Sequence, residues 1–80
     1  MDIKFSRHAE KFLAKLNDKQ LVILVKAIQG LTEVPPKGDI IKLKGYTHEK
    51  RLRVGTIRVI FKIDNNTICV SDIDFRGNIY

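Results

Sequence analysis

The feature that most constrains this chain is the segment Val34-Pro35-Pro36-Lys37-Gly38. Two adjacent prolines and a glycine forbid the continuation of any regular element through it. The two sides of the break carry different periods. Upstream, Ala9, Phe12, Leu13 and Leu16 fall at i, i+3, i+4 and i+7, which predicts an amphipathic helix over about residues 7–16. Ser6 stands where its hydroxyl can accept from first-turn N–H groups. Leu21, Leu24, Val25, Ile28 and Leu31 predict a second helix over about 19–32, with Asn17 ending the first helix and Asp18 capping the second. So short a link makes the pair an antiparallel hairpin. Before it, Ile3 and Phe5 alternate with Asp2 and Lys4, the pattern of a short strand.

Downstream of the break the period is two. Ile40 to Leu43 is a short candidate strand, and Gly45-Tyr46-Thr47-His48 a loop. Arg51-Leu52-Arg53-Val54 alternates charge with apolar side chains, and Gly55-Thr56 turns the chain. Ile57-Arg58-Val59-Ile60-Phe61-Lys62-Ile63 is rich in β-branched residues and is the strongest strand in the sequence. Asp64-Asn65-Asn66 suits a hairpin turn because asparagine tolerates positive φ. Thr67 to Ile73 is the last strand. Strands joined by tight turns pair antiparallel. The expected fold is therefore α+β, in the order β-α-α-β-β-β: a helical hairpin packed on one face of a twisted antiparallel sheet, in one domain over residues 1–80. Ile57, Val59, Phe61 and Ile63 are assigned to the core face. Arg58, Ile60 and Lys62 share the opposite face with Arg51 and Arg53, so several cations should converge where the sheet is open.

Composition narrows the partners. A chain of 80 residues has room for one core. No apolar run approaches the ~20 residues that span a bilayer, and the N-terminus lacks the pattern of a signal peptide. One cysteine, Cys69, excludes an internal disulfide and suggests no metal cluster. A reducing, cytoplasmic setting is expected. Fifteen Lys+Arg against nine Asp+Glu leave a net charge of +6. The excess is local: residues 37–62 hold eight basic side chains and two acidic ones, Asp39 and Glu49. Such a field suits a polyanion, RNA or DNA first, and serves an acidic protein equally well.

Three blocks then stand in order and correctly spaced: Leu43-Lys44-Gly45; Arg51-Leu52-Arg53-Val54-Gly55-Thr56-Ile57-Arg58-Val59-Ile60-Phe61; and Arg76-Gly77-Asn78-Ile79-Tyr80. Over nearly its full length the chain resembles the RelE/ParE toxin superfamily. Its "KL-x-G" segment, its "R-x-R-x-G-x-x-R" hairpin followed by a hydrophobic run, and its terminal "R-x-x-x-Y" match those blocks. The resemblance implies the RelE-like fold, the toxin role of a type II toxin–antitoxin system, and a cognate antitoxin that wraps the basic surface. For RelE-like members it also implies a metal-independent, cofactor-free endoribonuclease that enters the ribosomal A site and cuts messenger RNA. ParE-like members instead inhibit DNA gyrase on the same fold, so the site and not the fold must decide.

Metal-free RNA cleavage needs the 2′-hydroxyl to lose a proton, the phosphorane-like transition state to be stabilised, and the 5′-oxygen to gain a proton as it leaves. An arginine fork matches two phosphate oxygens and keeps its charge. By the resemblance, Arg58 stabilises the transition state, and Arg51 and Arg53 stabilise the anion forming at the 2′-oxygen. Arg76 and Tyr80 complete the site, with Tyr80 stacking on a base or handling the 2′-hydroxyl proton. Lys42, Lys44, Lys50 and Lys62 are expected to contact RNA phosphates, which is a salt-dependent contribution. His48 is a candidate acid or base, and Glu49 a lesser one. The plain structural alternative makes Arg58 a sheet-surface cation paired with Asp72 or Asp74, Arg51 and Arg53 a solvated strand face, Tyr80 a chain-end aromatic, His8 a surface residue and Cys69 small packing. Two other functions remain open here: a gyrase inhibitor, and an RNA- or ribosome-binding homologue without catalysis, which the absence of a tail beyond Tyr80 would fit.

Overall fold

A computed structural model describes residues 1–45 and 48–79 of the chain. Strand β1 (Asp2–Phe5) is followed by helices α1 (Arg7–Ala14) and α2 (Asp18–Gln29), the latter running into a 3-10 turn at Gly30–Thr32. Four strands follow, β2 (Asp39–Lys42), β3 (Lys50–Val54), β4 (Ile57–Asp64) and β5 (Thr67–Phe75), and then a short helix α3 (Arg76–Ile79). They form one five-stranded sheet in the order β1-β5-β4-β3-β2. The expected α+β architecture is present, with three additions. The candidate strand at 40–43 is a full edge strand, so the order is β-α-α-β-β-β-β. A terminal helix follows it. The sheet is mixed, because β1 pairs parallel with β5. Tight turns dictate antiparallel pairing only among β2 to β5. They leave β1 unconstrained, since two helices separate it from the next strand.

The helices begin where the capping chemistry places them. Ser6 Oγ accepts from Ala9 N at 3.1 Å. Asn17 rather than Asp18 caps α2: its Oδ1 accepts from Gln20 N at 2.8 Å, and the Gln20 side chain accepts from Asn17 N at 3.4 Å. This reciprocal box satisfies two first-turn donors at once. The apolar stripes meet the sheet as the spacing predicts. Ala9, Leu24, Ile28 and Leu31 are buried against Leu52, Val59, Phe61, Ile68, Val70 and Ile73, with Phe12, Leu13 and Leu16 packed at the margin. Entry into β2 depends on Gly38, at φ +132°, where a Cβ would come within 2.6 Å of Leu52 Cδ1. An L side chain there would be strained by the backbone conformation and would have to displace the end of Leu52.

On β4 the two faces sort by parity, with two departures. Ile57, Val59 and Phe61 are buried in the core, but Ile63 on the same face is 39% exposed. It lies past the helices' reach, beside the β4–β5 turn. On the other face Arg58 and Ile60 are buried as well. Ile60 lies between its register partners Arg51 and Asp72, and an arginine stem covers apolar surface while its head stays wet. After Ile60↔Asp72 the pairing resumes at Phe61↔Val70, so Ser71 is the extra residue of a β-bulge in β5.

Candidate active site

The register aligns the site. Arg53 on β3, Arg58 on β4 and Asp74 on β5 form one cross-strand row, and Arg51 and Ile60 form the next. Arg76 begins α3 directly after β5, and its backbone N donates to Thr56 O at 2.8 Å. That bond ties the helix start to the β3–β4 turn. Arg51, Arg53, Arg58 and Arg76, with Gly77, thereby line one cavity of about 510 Å³. Strand alternation on β3 supplies two of the four, the start of β4 the third, and the strand-to-helix junction the last.

Arg58 is the floor of this cavity. It is 6% exposed and is the one buried charged residue among the described residues. Its Nη1 donates to Gly55 O at 2.7 Å and Ile57 O at 3.1 Å. Gly55, at φ +60°, gives the turn the left-handed residue that presents this carbonyl. The buried Nε of Arg58 meets no acceptor among the described residues. Burial lowers the Arg58 pKa from its ordinary value, and repulsion from Arg51, Arg53 and Arg76 lowers it further, with partial relief from Asp39. A guanidinium that is desolvated, held by two carbonyls and surrounded by like charge favours an anion beside it. Arg53, at the rim, is ion-paired with Asp39 on the neighbouring strand.

The other sequence-derived candidates are dispersed. Lys62 lies on the arginine face but lines a separate pocket with Lys4, Cys69, His48 and Glu49. Lys42 and Lys50 are register partners on the opposite parity, and with His48, Glu49 and Ile63 they line a third concavity. Lys44 is exposed in the loop after β2. Tyr80 lies outside the described residues. Asp72 and Asp74 share the arginine face, and His8 on α1 reaches them, with Nε2 at 2.8 Å from Asp72 Oδ1 and 3.8 Å from Asp74 Oδ2. Sequence reasoning missed the pair formed by Ser71 Oγ and Glu49 Oε2, 2.9 Å apart. Only the bulge brings Ser71 to that position, and no local pattern announces the bulge.

No family model matches the sequence, and no curated protein sequence does. Solved structures do. A chain of the RelB–RelE antitoxin–toxin complex from Methanococcus jannaschii is 26% identical, covers 96% of this chain and 94% of its own length, and superimposes with a TM-score of 0.71. The archaeal RelE–RelB complex from Pyrococcus horikoshii gives 25% identity, 95% and 94% coverage and a TM-score of 0.76. The isolated RelE toxin of E. coli, at 18% identity, covers 92% of this chain and 82% of its own and shares the fold at a TM-score of 0.76. Likeness over nearly the whole length shows that this chain has the RelE-like fold and resembles the toxins of the RelE-like superfamily.

Proposed function

We propose that the chain is the toxin of a toxin–antitoxin pair and that it acts as a ribosome-dependent, metal-independent endoribonuclease on messenger RNA. The observation that carries this reading is the convergence of Arg51, Arg53, Arg58 and Arg76 on one cavity with Arg58 buried at its floor. A surface that merely attracts polyanions has no need of a desolvated arginine. A site that stabilises charge developing on a phosphate does, because preorganised donors act most strongly where water is excluded. In the reaction, the 2′-oxygen attacks the adjacent phosphorus and gives up its proton. The bond from phosphorus to the 5′-oxygen breaks, and that oxygen takes a proton. The products are a 2′,3′-cyclic phosphate and a 5′-hydroxyl. Arg58 faces the phosphorane oxygens, Arg76 supports them, and Arg51 and Arg53 stabilise the 2′-oxyanion. Tyr80, four residues beyond Arg76, is assigned to the base or the 2′-hydroxyl on the strength of the family pattern alone. The RelB–RelE and RelE–RelB complexes support an antitoxin partner. The ribosome and messenger RNA are its proposed targets.

The test is a reconstituted translation reaction with messenger RNA ends mapped by primer extension, run with the protein and with Arg58→Ala. New ends inside codons in the A site are expected, dependent on ribosomes and lost in Arg58→Ala. Intact message with unimpaired translation would sink the reading and redirect work to gyrase supercoiling. Intact message with stalled ribosomes would indicate binding without chemistry.

A further inference from the structure

The arginine face carries a second concavity, of about 540 Å³, which the proposed reaction does not use. Its core is one cross-strand row: Lys4 on β1 pairs with Cys69 on β5, and Cys69 pairs with Lys62 on β4. Both lysines are exposed and the thiol between them is half-buried, so two cations flank a small, uncharged floor. His48 and Glu49 enter from the segment before β3, and Ser71 from the bulge. The Glu49–Ser71 contact reaches across β4 and separates this pocket from the arginines. Along β4 the two rows, at Arg58 and Lys62, are four residues apart on one face. At ~3.3 Å per residue that is roughly 13 Å, within the reach of a short extended stretch of single-stranded RNA.

We propose that this pocket is a second phosphate subsite for the same RNA strand, in which Lys4 and Lys62 hold the phosphate of a nucleotide flanking the scissile one. The inference rests on RNA being the ligand of the arginine cavity. The division of labour follows from the side chains. Arg58 is fixed and desolvated, as chemistry requires. Lys4 and Lys62 are hydrated point charges on flexible stems, which bind a phosphate without imposing geometry on it. Cys69 leaves the space between them open, and the Glu49 carboxylate at the boundary repels a phosphate from the intervening surface and so separates the two subsites.

Binding of labelled single-stranded RNA oligonucleotides to the purified chain, followed by fluorescence anisotropy over a range of lengths and salt concentrations, tests the proposal. The variant Lys4→Ala/Lys62→Ala should lose roughly tenfold in affinity for the longer RNAs at moderate salt. Its plot of log affinity against log salt should be shallower by roughly 0.7 per lysine removed. RNAs too short to leave the arginine cavity should bind it as they bind the parent. Lys19→Ala/Lys26→Ala removes the same charge from α2 and should change neither quantity. Equal losses in the two double variants, no loss in the first, or no binding of any RNA by the parent chain would overturn the second subsite. Cleavage on ribosomes is scored separately. A chain that cuts messenger RNA but binds without regard to Lys4 and Lys62 loses only this inference. One that binds through the lysines and never cuts loses only the nuclease reading.

Discussion

Arg58 occupies a position that a protein built for stability alone would give to an apolar residue. Its neighbours along β4 are Ile57 and Val59, and Ile60 beside it on the same face is buried too. Three arginines repel it and its Nε meets no acceptor among the described residues. Replacing a buried, imperfectly paired cation with an apolar side chain of similar length is commonly neutral or stabilising, and functional sites regularly hold such unfavourable groups. Arg58→Met should therefore abolish cleavage while raising Tm by roughly a few degrees, read by thermal denaturation beside the translation assay. A lowered Tm would instead mark Arg58 as an anchor of the Gly55 turn, to which its Nη1 is bonded. The position of Arg58 is legible in the sequence, a cation near the start of the strongest β-branched run. Its burial is not. That depends on Arg51 and Arg53 arriving from β3 and Arg76 from the start of α3, and strand alternation alone assigns the face to solvent.

At the scale of elements, legibility follows the range of the interaction that fixes each one. Helices α1 and α2 are set by spacing and by caps within a few residues, and both are found where the periodicity places them. The capping residue of α2 shifts by one, from Asp18 to Asn17, because only Asn17 stands three residues before a glutamine able to close the reciprocal box. The β4–β5 hairpin is equally local: Asn65 and Asn66 adopt φ of 48° and 58°. The parallel pairing of β1 with β5 and the bulge at Ser71 join residues more than sixty positions apart, or break an alternation with no turn residue to announce it. Neither leaves a mark in a short window. The hairpin allows a direct test. Two adjacent residues at positive φ are the geometry in which asparagine followed by glycine is preferred. Asn66→Gly should stabilise the fold by roughly 0.5 kcal/mol, since glycine carries no Cβ penalty there. Urea denaturation measures it as a higher midpoint at unchanged slope. A lower midpoint would mean that the Asn66 side chain contributes more than the left-handed backbone costs.

For the molecule as a whole, charge and marginal size act together. Net charge is +6 on 80 residues, and four of the cations line one cavity. A domain of this length is stable by only ~4–12 kcal/mol, so repulsion on one face weighs on the entire fold. Any polyanion that occupies the face should relieve it and add its own binding free energy to folding. At roughly one hundred times its Kd a ligand contributes ~2.7 kcal/mol, and one kcal/mol moves Tm by ~4–8 °C in a domain this small. Saturating single-stranded RNA should thus raise Tm by roughly 10–20 °C at low salt. The shift should shrink steadily as salt rises, because each phosphate contact releases a counterion. In Arg58→Met the apo protein should melt higher and the RNA-induced shift should be smaller, so the two curves converge as RNA is added. This convergence separates a binding site from a charged surface: loss of one charge among fifteen would trim the shift only slightly if RNA were held by the field alone. Parallel curves, with the variant offset by a constant amount at every RNA concentration, would place the polyanion elsewhere on the molecule and leave the arginine cavity without its ligand.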